Sequence, residues 1–471
     1  MSFPVKREWL ISSQSDEIRD HYKFTSTTLG EGSYGFVKIA TRITDSSKVA
    51  VKIIPKKKIK RPELLTREIE IMKTVDHPNI VKLFETFEDS RFIYLPMELC
   101  EGGELFDRII NEGHFSEKKA SFTFLFMLSA VAYLHSRDIV HRDLKPENFL
   151  YETKDPDSKL KLIDFGLSKM TGKNKDLTTK TGTCYYVSPE TLSGHYNEKC
   201  DEWSLGVILY MMLSGYPPFD GESDSEVLHS VRHNQLEFDG AVWDDVSPAA
   251  KDLITKLLDR NIETRITAQE ALGHTWLLQN EECPYQPLSL DIHQLRSYRN
   301  SNKFKKTVLN YIATQCSPRE LEGMIDVFRQ LDTNHDGKLT LLELQNSILS
   351  SDVSIPELEE LIISIDTDGS GTIDLTEFLA AMMDKRVYLS QEKLWNAFKR
   401  FDINGSGKIT AHELREVMDQ EHLIPNPEIW QEIVQEVDAD GDEEISYDDF
   451  VKMMERTSSE TAEVVRKSLT L

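Results

Sequence analysis

The string His141-Arg142-Asp143-Leu144-Lys145-Pro146-Glu147-Asn148 concentrates more reactive chemistry than any other part of the chain. It offers a carboxylate that can orient and deprotonate a hydroxyl (Asp143), a cation for a moving phosphoryl group (Lys145) and a metal-binding amide (Asn148). Asp164-Phe165-Gly166 adds a second carboxylate, suited to bridging Mg2+ and nucleotide phosphates. Upstream, Leu29-Gly30-Glu31-Gly32-Ser33-Tyr34-Gly35-Phe36-Val37 is glycine-rich and leads into strand-type residues rather than a helix. Glycines let backbone N–H groups lie over a triphosphate without side-chain clash. Val49-Ala50-Val51-Lys52 reads as a buried strand ending in a cation for the α/β-phosphates. Glu68, in a helical run with Leu65, Ile69 and Met72, can hold that cation as an ion pair. Phosphoryl transfer is largely positioning and charge neutralisation, so these charges are expected to converge on one cleft.

A second constellation fills the last third. Four Asp/Asn/Gly-rich segments begin at Asp332, Asp366, Asp402 and Asp438, spaced 34, 36 and 36 residues apart. An EF-hand loop takes calcium ligands from positions 1, 3, 5, 7, 9 and 12 and needs glycine at 6. The first segment fits with Asp332, Asn334, Asp336, Gly337, Lys338 (through its carbonyl), Thr340 and Glu343. The second fits with Asp366, Asp368, Ser370, Gly371, Thr372, Asp374 and Glu377. The third fits with Asp402, Asn404, Ser406, Gly407, Lys408, Thr410 and Glu413. Each carries Leu or Ile at position 8, where paired hands form a short strand contact. The fourth keeps Asp438, Asp440, Asp442 and the Glu444 carbonyl, but has Glu443 at position 6 and the shorter Asp449 at position 12. A non-glycine in that positive-φ turn costs on the order of 1 kcal/mol. Calcium, Mg2+ and weak binding all remain open for this loop.

The elements that must position these residues differ between the two regions. Residues 22–98 alternate strand-like runs (Val37–Thr41, Val49–Ile54, Val81–Phe87, Phe92–Met97) with one helical stretch, Pro62–Val75. From Phe106 the pattern turns helical, with long segments at Lys118–His135, Cys200–Ser214 and Pro248–Leu258. Pro96 falls in a strand interior, where a bulge is expected. The repeats read as four helix–loop–helix units. Between the regions, Gln286–Cys316 holds Arg296, Arg299, Lys303, Lys305 and Lys306 against one acid, Asp291. Phe304, Val308, Tyr311 and Ile312 form one apolar helix face there.

Composition limits the alternatives. The 471 residues are 39% hydrophobic and 29% charged, which is enough apolar material for cores and excludes disorder over most of the length. Net charge is −25, with about −20 of it in residues 317–471, and that argues against nucleic acid as a partner. No apolar run reaches the roughly 20 residues of a membrane helix. The start, Met-Ser-Phe-Pro, lacks a signal-peptide core, and Ser2 stands where myristoylation needs glycine. Five scattered cysteines point to a reducing, cytoplasmic setting. A monomer is expected.

Residues 22–277 resemble a eukaryotic protein kinase domain. Further matches are Ser188-Pro189-Glu190, Asp201-Glu202-Trp203-Ser204-Leu205-Gly206, and Arg265 as partner of Glu190. The resemblance implies an α+β bilobal fold (lobes 22–98 and 99–277) that binds ATP and Mg2+. Met97 would be the gatekeeper, Glu98 and Cys100 would offer hinge backbone groups to adenine, and Leu29, Val37, Ala50 and Leu150 would sandwich its ring. Glu104 and Glu147 match positions that face upstream arginines in basophilic kinases, and Lys145 fits serine/threonine kinases. Thr179 and Thr181 would lie in the activation segment, near Asp176, with Arg142 available to a phosphate.

With a basic junction (278–316) and an all-α calmodulin-like domain of four EF-hands (317–471) following in that order, nearly the whole chain resembles the calcium-dependent protein kinases of plants and protists. The resemblance implies protein substrates and a junction helix that the acidic domain grips within the same chain, where effective concentration is high. Without calcium the junction and acidic domain are expected to hold the kinase inactive; calcium would open the hands and redirect the helix. Arg299-Asn300-Ser301-Asn302 reads either as a substrate mimic without a phosphoacceptor or as a plain tether. Residues 1–21 and 456–471 show no chemical signature and read as flexible or docking extensions.

Overall fold

Valine and isoleucine alternate through Phe36–Arg42 and Lys48–Pro55, and in the computed structural model these two strands pair antiparallel without interruption, from Phe36↔Ile53 to Thr41↔Lys48. Residues 5–11, 13–14, 17–31, 35–166, 168–170, 184–280, 292–348, 354–420, 426 and 428–456 are described. The sheet has six strands in the order Ser13–Gln14, Thr86–Glu88, Phe92–Met97, Lys48–Pro55, Phe36–Arg42, Tyr22–Glu31. Against it lies the Pro62–Thr74 helix, which buries Leu65, Glu68, Ile71 and Met72.

Two sequence expectations fail here. Of the expected Val81–Phe87 strand only Thr86 and Phe87 are in a strand, which runs Thr86–Glu88; Leu83 makes an isolated bridge to Met97, as does Ile80, just before the run, to Leu162. Pro96 causes no bulge: it pairs with Val51 in a continuous register, and its carbonyl accepts the Phe84 N–H at 3.0 Å. The polar edge of residue 96 therefore faces away from the Lys48–Pro55 strand, which loses no donor to the proline.

The helical lobe is built on Glu117–Ser136 and Cys200–Ser214. The second of these is buried on every side, as an apolar helix without a polar face must be. One continuous apolar core joins this lobe to Ile71 and Met72 of the first. Among the described residues no helix is long and apolar enough to cross a membrane.

The acidic third forms helix–loop–helix units from Pro318–Leu331 to Tyr447–Glu455. Two-residue strands tie the loops in pairs, Leu339 opposite Ile373 and Ile409 opposite Ile445, so position 8 meets position 8. The Lys303–Gln315 helix is threaded through this domain's core, with Phe304, Val308, Tyr311 and Ile312 all buried. Residues 5–11 are docked: Val5, Trp9 and Leu10 belong to that same core.

Candidate active site and calcium loops

The Pro62–Thr74 helix sets Glu68 behind the sheet, where its Oε1 accepts from Lys52 Nζ at 2.5 Å; the same Nζ lies 3.4 Å from Asp164 Oδ1. Burial opposes the charge on Lys52, but Glu68 and Asp164 outweigh it and raise the pKa above the ordinary lysine value. For Asp164 burial acts upward, and Lys52 and His141 bring its carboxyl below the ordinary range. Asp164 holds φ +62°, a left-handed conformation rare for a side-chain-bearing residue, and keeps 47% of its side chain exposed.

The 141–148 loop is fixed from below. Asp201, fully buried, accepts the N–H groups of His141 and Arg142, both at 2.8 Å. Arg142 is also held at positive φ, +68°. Asp143 Oδ2 is 3.2 Å from Lys145 Nζ, and Asn148 Nδ2 donates to the Asp143 carbonyl at 2.8 Å. The amide oxygen of Asn148 is left as the acceptor of that side chain. Arg265 binds Glu190 through both guanidinium ends, at 2.5 and 3.0 Å, as a buried bidentate pair.

The nucleotide side is built on close backbone approach. A Cβ on Gly35 would sit 2.0 Å from the Ile53 carbonyl oxygen, so only glycine fits there. Gly32, Ser33 and Tyr34 lie outside the described residues, as do Thr179, Thr181 and Asp176. Ala50 faces Met97 across the sheet, and Val37 and Leu29 stand on the neighbouring strands. Glu98 donates its N–H to the Lys82 carbonyl, while its carboxylate is held by Lys161 Nζ at 2.8 Å and the Lys82 N–H at 3.2 Å. Burial, and then Glu98, pushes the neighbouring Cys100 thiol well up. Glu104 bridges to Leu150, closing the far side. Its carboxyl is raised by burial and by the charges of Asp107 and Glu147; the Glu147 Oε2 is buried without a hydrogen bond among the described residues.

The acidic loops repeat one geometry three times. Glu343 and Glu377 reach back to accept the N–H groups of Thr333–Asn334 and Thr367–Asp368, and Glu413 accepts that of Asn404. Burial and the Asp336 carboxylate push Asp332 up to about 8; burial also raises Asp336, and burial and Asp368 raise Asp366. Glu377 is raised well above its ordinary value by burial and the Asp374 and Asp368 charges. Carboxylates that repel one another this way fit a divalent cation among them. In the second loop, oxygens of Asp366, Asp368 and Glu377 lie within 4.8 Å of one another. In the fourth, Asp438, Asp440 and Asp442 do the same, and Asp442 is also engaged by Lys408 of the third loop. Glu443 adopts φ +64°, the strained turn expected of it, and Asp449 reaches Ser446 but no loop-entry amide among the described residues.

Two of the junction lysines, Lys305 and Lys306, donate to backbone carbonyls. Lys305 Nζ donates to the carbonyls of Met454 and Arg456 at 2.7 and 2.9 Å, capping the Tyr447–Glu455 helix, and Lys306 Nζ donates to Ser364 O at the end of Ile355–Ile365. The arginines do pair with acids, Arg296 with Glu357 and Arg299 with Glu360. Arg299 is therefore seated on the acidic domain.

The acidic domain and junction then lie against the kinase. Lys82 Nζ donates to Ala313 O at 2.7 Å, Arg42 donates to Gln315 O at 2.9 Å, and Gln315 Nε2 donates to Phe84 O at 3.1 Å. Lys159 pairs with Asp326, and Arg329 donates to the Pro78 carbonyl. Arg7 joins in, donating to the carbonyls of Lys73 and Val75 at the end of the Pro62–Thr74 helix. Sequence reasoning missed Arg7, Trp9, Lys82, Arg137 and Lys161, since none sits in a spacing pattern.

A two-lobed phosphotransferase cleft braced by paired calcium loops defines the class: a protein kinase fused to a calcium sensor. The protein kinase domain model matches residues 24–277, and the EF-hand domain pair model matches 321–383 and 391–455. Calcium-dependent protein kinase 3 of Plasmodium berghei is 41% identical over 96% of this chain and 83% of its own length. Calcium-dependent protein kinase 5 of Plasmodium falciparum is 40% identical (94% of this chain, 80% of its own), and calcium-dependent protein kinase 17 of Arabidopsis thaliana 38% (94% and 85%). The chain belongs to the calcium-dependent protein kinase family. It is a calcium-regulated serine/threonine kinase that uses ATP, acts on proteins and carries two EF-hand pairs.

Proposed function

We propose that calcium loading moves the acidic domain and junction onto the kinase and props the first lobe in its working shape, and that without calcium the same segments hold the enzyme inactive. The observation that carries this reading is the double role of the Lys303–Gln315 helix. Its first half is buried among EF-hand aromatics, with Phe304 against Phe401 and Phe450, and its last turn is hydrogen-bonded to Lys82, Phe84 and Arg42 of the kinase. A rigid helix joining both partners transmits a change in one to the other.

Within the cleft, Asp143 orients the substrate hydroxyl and takes its proton, Lys145 faces the transferred group, and Glu68 keeps Lys52 aimed at the phosphates. Asn148 and Asp164 would hold Mg2+, which supplies neutralisation of phosphate charge when bound. Leu29, Val37, Ala50 and Leu150 enclose adenine, with Met97 behind it and the Glu98 and Cys100 backbone beside it. The Glu147 oxygen beside Glu104, without a hydrogen bond among the described residues, supports a preference for arginine upstream of the phosphoacceptor. Residues 278–316 act as the junction. The placement of Arg299 on Glu360 supports the tether over the substrate mimic.

The test is phosphorylation of an Arg-x-x-Ser peptide and its Ala-x-x-Ser counterpart in chelator and in micromolar calcium. Calcium should raise the rate severalfold or more, and the arginine peptide should be preferred. Equal rates in both conditions would overturn the switch, and equal rates on both peptides would overturn the arginine site.

A further inference from the structure

The second EF-hand loop touches the kinase with two of its own positions. Asp374, at position 9, accepts through Oδ2 from Arg137 at 2.6 Å, and Thr376, at position 11, donates its N–H to Asp76 Oδ2 at 2.7 Å. Arg137 ends the Glu117–Ser136 helix, with its guanidinium over the Tyr133 ring. The Tyr133 hydroxyl in turn accepts the Asp76 N–H at 2.8 Å. Asp76 follows the Pro62–Thr74 helix, the one carrying Glu68. These contacts join the loop to the element that aims Lys52.

Asp374 is 8% exposed, yet its Oδ1 makes no hydrogen bond among the described residues. A buried carboxylate oxygen without a donor is costly, and Asp374 belongs to the same loop as Asp366, Asp368 and Glu377, whose oxygens gather within 4.8 Å of one another. Position 9 of such a loop commonly reaches its ion through water.

We propose that Asp374 serves two cations at once, with Oδ2 holding Arg137 of the kinase while Oδ1 is left for the ion of the second loop, directly or through one water. Arg137 is then a positioning residue: it fixes the rotamer of a calcium ligand from outside the calcium domain. Ion capture by this loop and its docking on the kinase become one coupled equilibrium, and the coupling is reciprocal. A guanidinium that merely competed for the carboxylate would act with the opposite sign and weaken the site. This inference rests on the calcium-switch reading.

The experiment is calcium binding to the full chain by chelator competition, comparing wild type with Arg137→Ala, Arg137→Gln and Arg137→Lys. Arg137→Gln keeps an aliphatic stem and a planar polar head without the charge, so a folding failure of the alanine variant leaves the comparison intact. Both uncharged variants should weaken one site on the order of fivefold, within the range usual for coupled sites, and shift the calcium midpoint of kinase activity by the same factor. Arg137→Lys should stay near wild type. Unchanged or tighter binding in the uncharged variants would overturn the inference. Calcium-independent rates in wild type would instead overturn the switch reading, and the binding comparison would still decide the role of Arg137.

Discussion

Replacing Phe304 by alanine isolates the grip of the acidic domain on the junction. The ring is fully buried, 5.0 Å from Phe401 and 5.9 Å from Phe450 in edge-on contacts, all within the acidic domain's core. Core Phe→Ala changes cost about 3–5 kcal/mol through lost transfer energy and the remaining cavity. The released helix is solvated rather than unfolded, so the lower end, about 3 kcal/mol, applies to docking, or about two orders of magnitude in the docking equilibrium. Phosphorylation rate titrated against calcium reads this directly. The midpoint should move to higher calcium and the maximal rate should fall, although Phe304 itself packs in a core separate from the kinase's. A wild-type titration curve for Phe304→Ala would refute the reasoning that the junction helix carries the signal.

Asp143→Asn should reduce phosphate transfer by about 10²–10⁴-fold, the usual range for a general base, while chelator competition finds calcium binding unchanged. Glu443→Gly together with Asp449→Glu should tighten the fourth loop, since the first relieves strain of about 1 kcal/mol at φ +64°; calcium stoichiometry and affinity measure it. His135 gives a pH dependence: burial opposes its charge, but Glu202 and Asp201, at 3.2 and 3.0 Å, push its pKa up to about 10. A raised folded-state pKa stabilises fully below the unfolded value of about 6.5 and is lost as pH rises towards the folded one. Thermal unfolding should therefore drop in midpoint between about pH 6.5 and 10, and His135→Asn should flatten that drop.

The catalytic loop and the calcium loops were legible because their chemistry is local: ligands and acids at fixed spacings within one turn or loop. Lys52 and Glu68 were legible because a strand and a helix a short distance apart can bring them together. Pro96 misled because a strand has two edges, and the sequence does not say which edge a given residue turns to its neighbour. The contacts between domains left no trace of this kind. Arg137 and Asp374 are 237 residues apart, and Lys82 and Ala313 are 231 apart. Each is an ordinary charge or carbonyl until the fold places it. Trp9 likewise looked like part of a featureless extension, although burying so large a ring needs a core that other segments supply. The junction's basic character was visible, but its purpose was not: two of its lysines cap helix ends, a role set by where helices stop.

The central claim is that calcium seats the acidic domain on the kinase's 75–84 segment. Amide hydrogen exchange of that segment in the full-length chain, followed from chelator to saturating calcium, tests it most directly. Protection of residues 75–84 should rise with calcium at the same midpoint as the phosphorylation rate. Equal protection in chelator and in calcium would contradict the account.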